Sequence, residues 1–250
     1  MNRKALLIYC DDTESGFLSG PSEDNTNLRT YLTNYCGGNW YENEIKSLNN
    51  PTIQQVRNAI KLIKNTDYSF VVFSGHGWIN TDEDNTQYLE VADGDVSINE
   101  LITDADRQTI LIDSCRGFLS PLMESFAQGL SGAVRAYSST TSTRTLFNSL
   151  VLKAEEGISV MYSASENQSS IDSQKGGAYI YSIIAVCKNW FFNNKSSNYL
   201  TIKNAHDLAI PFMNSKFITK QKPVMATEKR MRYFPFAVKF IPAPAEIPFR

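Results

Sequence analysis

The chain has 250 residues, 42% of them hydrophobic and 20% charged, enough to bury one large core or two small ones. Its net charge of −2, with no basic block and no basic amphipathic stretch, argues against nucleic acid or a membrane surface as a partner. The four cysteines are scattered, without a CxxC or a Cys/His cluster, and no signal peptide or run of about 18 apolar residues is recognised. Together these features predict a soluble cytoplasmic protein with reduced thiols and no zinc.

KALLIYC (residues 4–10) is an apolar run of strand length, and DDTESGFLSGPSED reads as a loop. NTNLRTYLTNYC places Leu28, Tyr31, Leu32 and Tyr35 at helical spacing. EIKSL is a short strand. Pro51 and Thr52 open a helix with Ile53, Val56, Ile60 and Ile63 as its apolar stripe. YSFVVF (68–73) is a buried strand ending in SGHG. QYLEVADGDVS reads as a hairpin turned at Asp93-Gly94, followed by a short helix near 98–104. TILID is the next strand and ends in SCRG. SSTTSTRTLFNS (138–149) is polar and reads as a flexible loop. GISVMYSAS is a strand, GGAYIYSIIAVCKNWFF and TIKNAHDLAIPFMNSK are helices, and QKPVMAT is a short last strand before a proline-rich tail that is extended or edge-like.

Apolar strands alternating with helices predict an α/β fold, a mostly parallel sheet of about six strands with helices on both faces. One domain over 1–250 is expected. Its segments are a larger N-terminal one (1–134), a loop open to cleavage (135–156) and a smaller C-terminal one (157–250).

Two strands end in reactive residues. His76, one of only two histidines, follows YSFVVF between two glycines, and Cys115 follows TILID. Ligands of open α/β sheets bind beyond the C-terminal strand ends. A thiol becomes a nucleophile at neutral pH when an imidazole takes its proton. Alone, such a cysteine is more often core and such a histidine more often a turn residue. Together, at two ends of one sheet, they point to nucleophilic catalysis.

SGHG and DSCRG after successive long strands resemble the caspase-like cysteine peptidases, most closely the metacaspase branch. GPSEDNTNLRTYL (20–32), SENQSSID (165–172), GGAYIYSII and QKPVMAT resemble that branch's further motifs in the right order, over roughly residues 4–226. The resemblance implies a caspase-like fold, Cys115 as nucleophile and His76 as general acid/base. It also implies an oxyanion hole from the N–H groups of Gly77 and Cys115. The family generally works as a dyad, and no third member is visible in the sequence.

The resemblance implies a specificity too. Asp113 and Asp24 match the two acids that line the metacaspase pocket, and Asp172 either joins them or supports the rim. Two buried carboxylates repel unless a cation lies between them. The expectation is therefore an endopeptidase acting on protein or peptide substrates, cutting after Arg and also Lys. Asp113 as a helix cap and Asp24 as an ordinary first-turn acid are the alternatives. Arg116 is expected to be structural.

The acids Asp82, Glu83, Asp84, Asp93 and Asp95 lack the pattern of a calcium loop, so no cofactor or metal is expected. A peptidase for basic residues can process itself. Arg144, with Arg135 and Lys153 as further candidates, is the expected cut, made by the enzyme or by an upstream protease. No prodomain is recognised, so a partner or this cleavage would activate it. The compact chain suggests a prokaryotic homologue. The alternative from another class is a catalytically silent caspase-fold interaction module.

Overall fold

The computed structural model of the chain describes residues 1–81, 85–117, 140–194 and 196–241. Strand β1 (Arg3–Tyr9) leads into a small hairpin, β2 (Asp12–Thr13) and β3 (Gly16–Phe17), and then helix α1 (Gly20–Thr33). β4 (Ile45–Asn49), α2 (Ile53–Leu62) and β5 (Tyr68–Ser74) follow. A three-stranded antiparallel sheet is formed by β6 (Gly77–Asn80), β7 (Thr86–Val91) and β8 (Gly94–Ser97). The chain continues through β9 (Arg107–Asp113), α3 (Thr140–Lys153), β10 (Gly157–Tyr162) and α4 (Ala178–Asn193). It ends with β11 (Tyr199–Thr201), α5 (Ile202–Phe217), β12 (Val224–Thr227) and β13 (Pro235–Val238).

The central sheet has six strands in the order β12-β10-β9-β5-β1-β4, parallel except for β12. The apolar runs alternate between its two faces, as the two-residue period of a strand requires. Ala5 and Leu7 of β1, Phe70 and Val72 of β5, and Leu111 of β9 enter one core, together with α1, α3, α4 and α5. Leu6 and Ile8, Val71 and Phe73, and Ile110 and Ile112 enter the other, against α2, β7 and β8. Each fully buried Leu or Ile of these strands contributes about 1.5–3 kcal/mol. Helix α2 starts where Pro51 and Thr52 indicate. Thr52 caps it by accepting from Gln55 N, and Gln55 reaches back to the Thr52 N–H.

The register decides where chemistry sits. Tyr9 pairs with Ser74 and Ser74 with Asp113, so β1, β5 and β9 end level. The chain runs outward from β1 to β4 and returns to the other side of β1 at β5. The loops after β1, β5 and β9 therefore meet at the point where the winding reverses.

Two expectations are corrected. The segment read as a flexible loop, 135–156, carries helix α3 from Thr140 to Lys153. Phe147 and Val151 anchor it in the core, and Arg144 anchors its exposed side. β12 is not the last strand: the tail is extended or edge-like as expected, but it forms β13, which pairs antiparallel with β11 and whose Phe236 carbonyl accepts from the Tyr31 hydroxyl at 2.7 Å. Among the described residues, no helix is long and apolar enough to cross a membrane.

Candidate active site

Two residues beyond the level ends of β5 and β9 stand His76 and Cys115, on the wall of one small cleft. Ser74, Asp113, Ser170, Ile171, Asp172 and Gly177 complete that wall on one side. Cys115 is the only one of the four cysteines that is not buried; all four are free thiols. The second histidine, His206, is buried against Tyr179, whose hydroxyl lies 2.6 Å from its Nδ1, and burial pushes it down to about 4.

The two reactive loops are tied together. Gly75 N donates to Asp113 O at 3.1 Å. A Cβ on Gly77 would lie 2.8 Å from Ser114 Oγ and 2.9 Å from Tyr88 O, so only glycine lets the two loops approach this closely. His76 Nε2 lies 3.2 Å from the Gly16 carbonyl, on the β2–β3 hairpin. A carbonyl only accepts, so this contact favours the neutral tautomer with the proton on Nε2 and a free lone pair on Nδ1. Gly16 sits at φ +110 with open space around it, so backbone conformation alone calls for glycine there. A backbone partner of this kind is one that side-chain motifs cannot reveal.

The acids Asp24 and Asp113 come together at the start of α4. Asp24, 1% exposed, accepts from Gly177 N at 2.9 Å and from Ser74 Oγ at 2.6 Å. Asp113, 4% exposed, accepts from Ser170 Oγ and from Ile180 N at 3.3 Å. Neither is an ordinary surface acid. Asp113 does cap a helix, but it is α4, whose N-cap residue Gly177 has no side chain of its own. Asp172 accepts from Ser19 N at 3.0 Å and Ser19 Oγ at 3.3 Å, at the N-terminus of α1.

Three glycines make room for the three carboxylates. A Cβ on Gly20, Gly176 or Gly177 would lie 1.8, 2.3 or 2.3 Å from an oxygen of Asp172, Asp24 or Asp113 respectively. Helix N-termini and donated N–H groups stabilise the anions. Burial still dominates. It drives Asp24 well above the ordinary carboxylate range, with the charge of Asp113 adding to it. Burial pushes Asp113 up to about 6 and moves Asp172 upward as well. None of the three forms an ion pair among the described residues.

A family model described as the caspase domain matches residues 2–234. The chain belongs to the caspase domain family. This caspase-domain chain shares its fold with a structural-genomics protein from Geobacter sulfurreducens (18% identity, 96% of this chain and 100% of that one, TM-score 0.59). It is also similar to caspase-1 from Spodoptera frugiperda (12% identity, 90% of this chain and 88% of that one, TM-score 0.57). No curated protein matches it in sequence. The family is that of the caspase-like cysteine peptidases, and its substrates are proteins.

Within this caspase domain, burial raises the Cys115 thiol, while the Ser170 N–H and the Ser169 hydroxyl act in the opposite direction. Arg116 stays structural. Its guanidinium lies 4.1 Å from the Tyr162 ring centre and 3.7 Å from Glu166, and its backbone pairs with Asn167 and Gln168. Sequence reading missed Ser170, Gln87 and Gln221. Gln221 is buried, donates to Ser163 O at 2.7 Å and accepts from Ile171 N at 3.0 Å. Its signal in the sequence is its place at the head of the QKPVMAT motif, to which the sequence alone attaches no role.

Of the processing candidates, Arg144 is held away from an extended conformation. Its guanidinium is bidentate to Glu44 at 2.8 and 2.5 Å and lies 3.8 Å from the Tyr41 ring centre. Lys153 is exposed at the end of α3, and Arg135 lies outside the described residues. Asp82, Glu83 and Asp84 also lie outside them. Asp93 accepts from Ile53 N at 2.7 Å and so serves the start of α2.

Proposed function

We propose that the protein is a cysteine endopeptidase of the metacaspase type, cleaving after Arg and Lys. The observation that carries the reading is the pair of buried carboxylates with no cationic partner among the described residues: Asp113 lines the cleft of Cys115 and His76, and Asp24 is bonded to its wall residues Ser74 and Gly177. A guanidinium or ammonium entering between them relieves their mutual repulsion. A neutral side chain leaves the repulsion in place, and an acidic one adds to it. Asp172 supplies further negative charge at the rim.

Catalysis follows from the placement of the dyad. Gly16 O fixes the ring so that Nδ1 takes the thiol proton of Cys115. The thiolate attacks the peptide carbonyl carbon, and the oxyanion is held by the N–H groups of Gly77 and Cys115. Removing one such donor typically costs roughly 3–4 kcal/mol. The intermediate collapses to a thioester as His76 returns the proton to the leaving amine. Water, deprotonated by the same histidine, then releases the acid and the thiol. No step calls for a metal, so activity is expected to survive a chelator.

A fluorogenic panel with Arg, Lys, Asp and Leu at P1, run with calcium or with chelator, tests the reading. Arg and Lys substrates are expected to turn over in both conditions, and Cys115→Ala to be silent. Preference for Asp would sink the acidic-pocket argument. Silence towards every substrate would favour an interaction module. Among the described basic candidates, exposed Lys153 fits self-processing better than the clamped Arg144.

A further inference from the structure

Gln87 lies on β7, outside every motif that points to the dyad. It is 2% exposed, yet its amide is aimed at the catalytic loop. Nε2 donates to Ser114 Oγ at 2.7 Å and, more weakly, to the Cys115 carbonyl at 3.4 Å. Ser114 is itself buried, its Oγ reaches the Cys115 carbonyl at 3.4 Å, and its carbonyl accepts from Ser163 Oγ at 3.3 Å. Gln87 Oε1 is buried with no partner among the described residues, so only the Nε2 donations set the orientation of the amide. Leaving a buried acceptor unpaired is costly, and the arrangement persists only where the other half of the group does something the fold needs.

What it holds is defined by its neighbours. Gly77 pairs with Leu89 on the same strand as Gln87, and a Cβ built on it would lie 2.8 Å from Ser114 Oγ. Gln87 and Ser114 thus bridge the loop that carries Gly77 to the loop that carries Cys115. Those two residues supply the N–H groups of the oxyanion hole. We infer that Gln87, acting through Ser114, is a positioning residue that sets the spacing of the Gly77 and Cys115 N–H donors for the transition state. The inference rests on the peptidase reading above for its catalytic consequence, and on the hydrogen bonds alone for its structural one.

The distinction from a merely stabilising residue is kinetic. An oxyanion develops only as the carbonyl is attacked, so displaced donors lower kcat and leave substrate binding in the acidic pocket alone. Alkylation of the thiol by iodoacetamide forms no oxyanion there, so it does not use these donors. A peptide aldehyde, which adds to the thiol as a tetrahedral adduct, does.

Gln87→Met removes the donor at similar size, and Gln87→Glu, assayed at a pH where it is ionised, keeps the shape but presents only acceptors to the Cys115 carbonyl. Both are compared in the full chain with Ser114→Ala and with the Gln87→Met/Ser114→Ala pair. The expected result is a kcat about 10-fold or more lower on a P1-Arg substrate, since small displacements of catalytic groups are costly. KM and the iodoacetamide rate stay within about two-fold, and affinity for a P1-Arg aldehyde falls in step with kcat. The double variant is no worse than the worse single, because the two side chains act as one unit. Hydrogen exchange over residues 113–117 speeds up in the resting variants.

A raised KM with unchanged kcat overturns the inference, as does a parallel fall in kcat and alkylation. If Gln87→Met fails to fold, Gln87→Glu decides by the same criteria. If the parent protein cleaves no peptide, the peptidase reading falls separately. Exchange over 113–117 then decides the role of Gln87: faster supports it, and unchanged refutes it.

Discussion

Asp113 is held by a hydroxyl and by the start of α4, yet burial pushes its carboxyl up to about 6. The folded protein therefore keeps this proton to higher pH than the unfolded chain does. Stability from that difference is fully present below the ordinary carboxylate range and is lost as pH rises through about 6. The protein without ligand is expected to lose Tm across that window. Asp113→Asn, whose amide can serve both Ser170 and Ile180 N, should flatten the profile. A guanidinium ligand such as agmatine needs the ionised acid, so its Tm increase should be larger at pH 8 than at pH 5. Equal increases at both pH values would contradict the pocket. Asp24→Asn keeps the contacts to Gly177 and Ser74 but removes the charge. Losing one partner of a desolvated pair costs roughly 2–5 kcal/mol, so kcat/KM for Arg substrates should fall on the order of 100-fold or more. His76 and Cys115 could be read from residue types at strand ends, and the two acids only from the resemblance to metacaspases. Gly16 could not, because it acts through a backbone carbonyl that any residue possesses.

At the scale of elements, the long strands and α2, α4 and α5 were legible because apolar period and caps agreed with the fold. Helix α3 was not, because its first turn is Thr- and Ser-rich and its best evidence lies beyond the polar stretch. Leu146, Phe147, Leu150 and Val151 have helical spacing, but a window ending at 149 cuts the pattern in half. Tertiary contact supplies the rest. Glu44 accepts from Arg144, and Arg3, fully buried, lies 3.5 Å from the same carboxylate. Despite the opposing effect of burial, these partners hold Glu44 below its ordinary range. Arg144→Ala is expected to destabilise the protein by about 1–3 kcal/mol, the worth of charge-assisted hydrogen bonds that are not fully screened. Urea denaturation measures this, and limited proteolysis within 140–153 should accelerate. An unchanged midpoint would show that α3 does not depend on the clamp.

The whole molecule builds its cleft from two stretches far apart in sequence. The first supplies His76, Asp113 and Cys115, and the residues after β10 supply Ser170, Asp172 and the start of α4. Gln221 joins them: it braces Ser163 and Ile171, on either side of the serine that holds Asp113. Gln221→Ala leaves two buried backbone groups unpaired, at about 1–3 kcal/mol each. The expected outcome is a lower Tm and a several-fold higher KM for Arg substrates, with a smaller effect on kcat. A kcat loss at constant KM would place its influence on the dyad instead. The order of motifs along the chain was legible in sequence. This long-range bracing was not, because one glutamine carries no periodic signal.

The glycines that abut the three carboxylates impose an order on change. A methyl at position 20, 176 or 177 has no room while Asp172, Asp24 or Asp113 stands opposite. A route from this pocket to one that accepts neutral or acidic side chains must therefore begin with the acids. Only after Asp113 is replaced by something smaller does Gly177 become free to vary; Gly176, at φ +103, favours glycine whatever stands opposite. Libraries that randomise the glycines first will return the parent sequence at those positions, whatever substrate is used for selection.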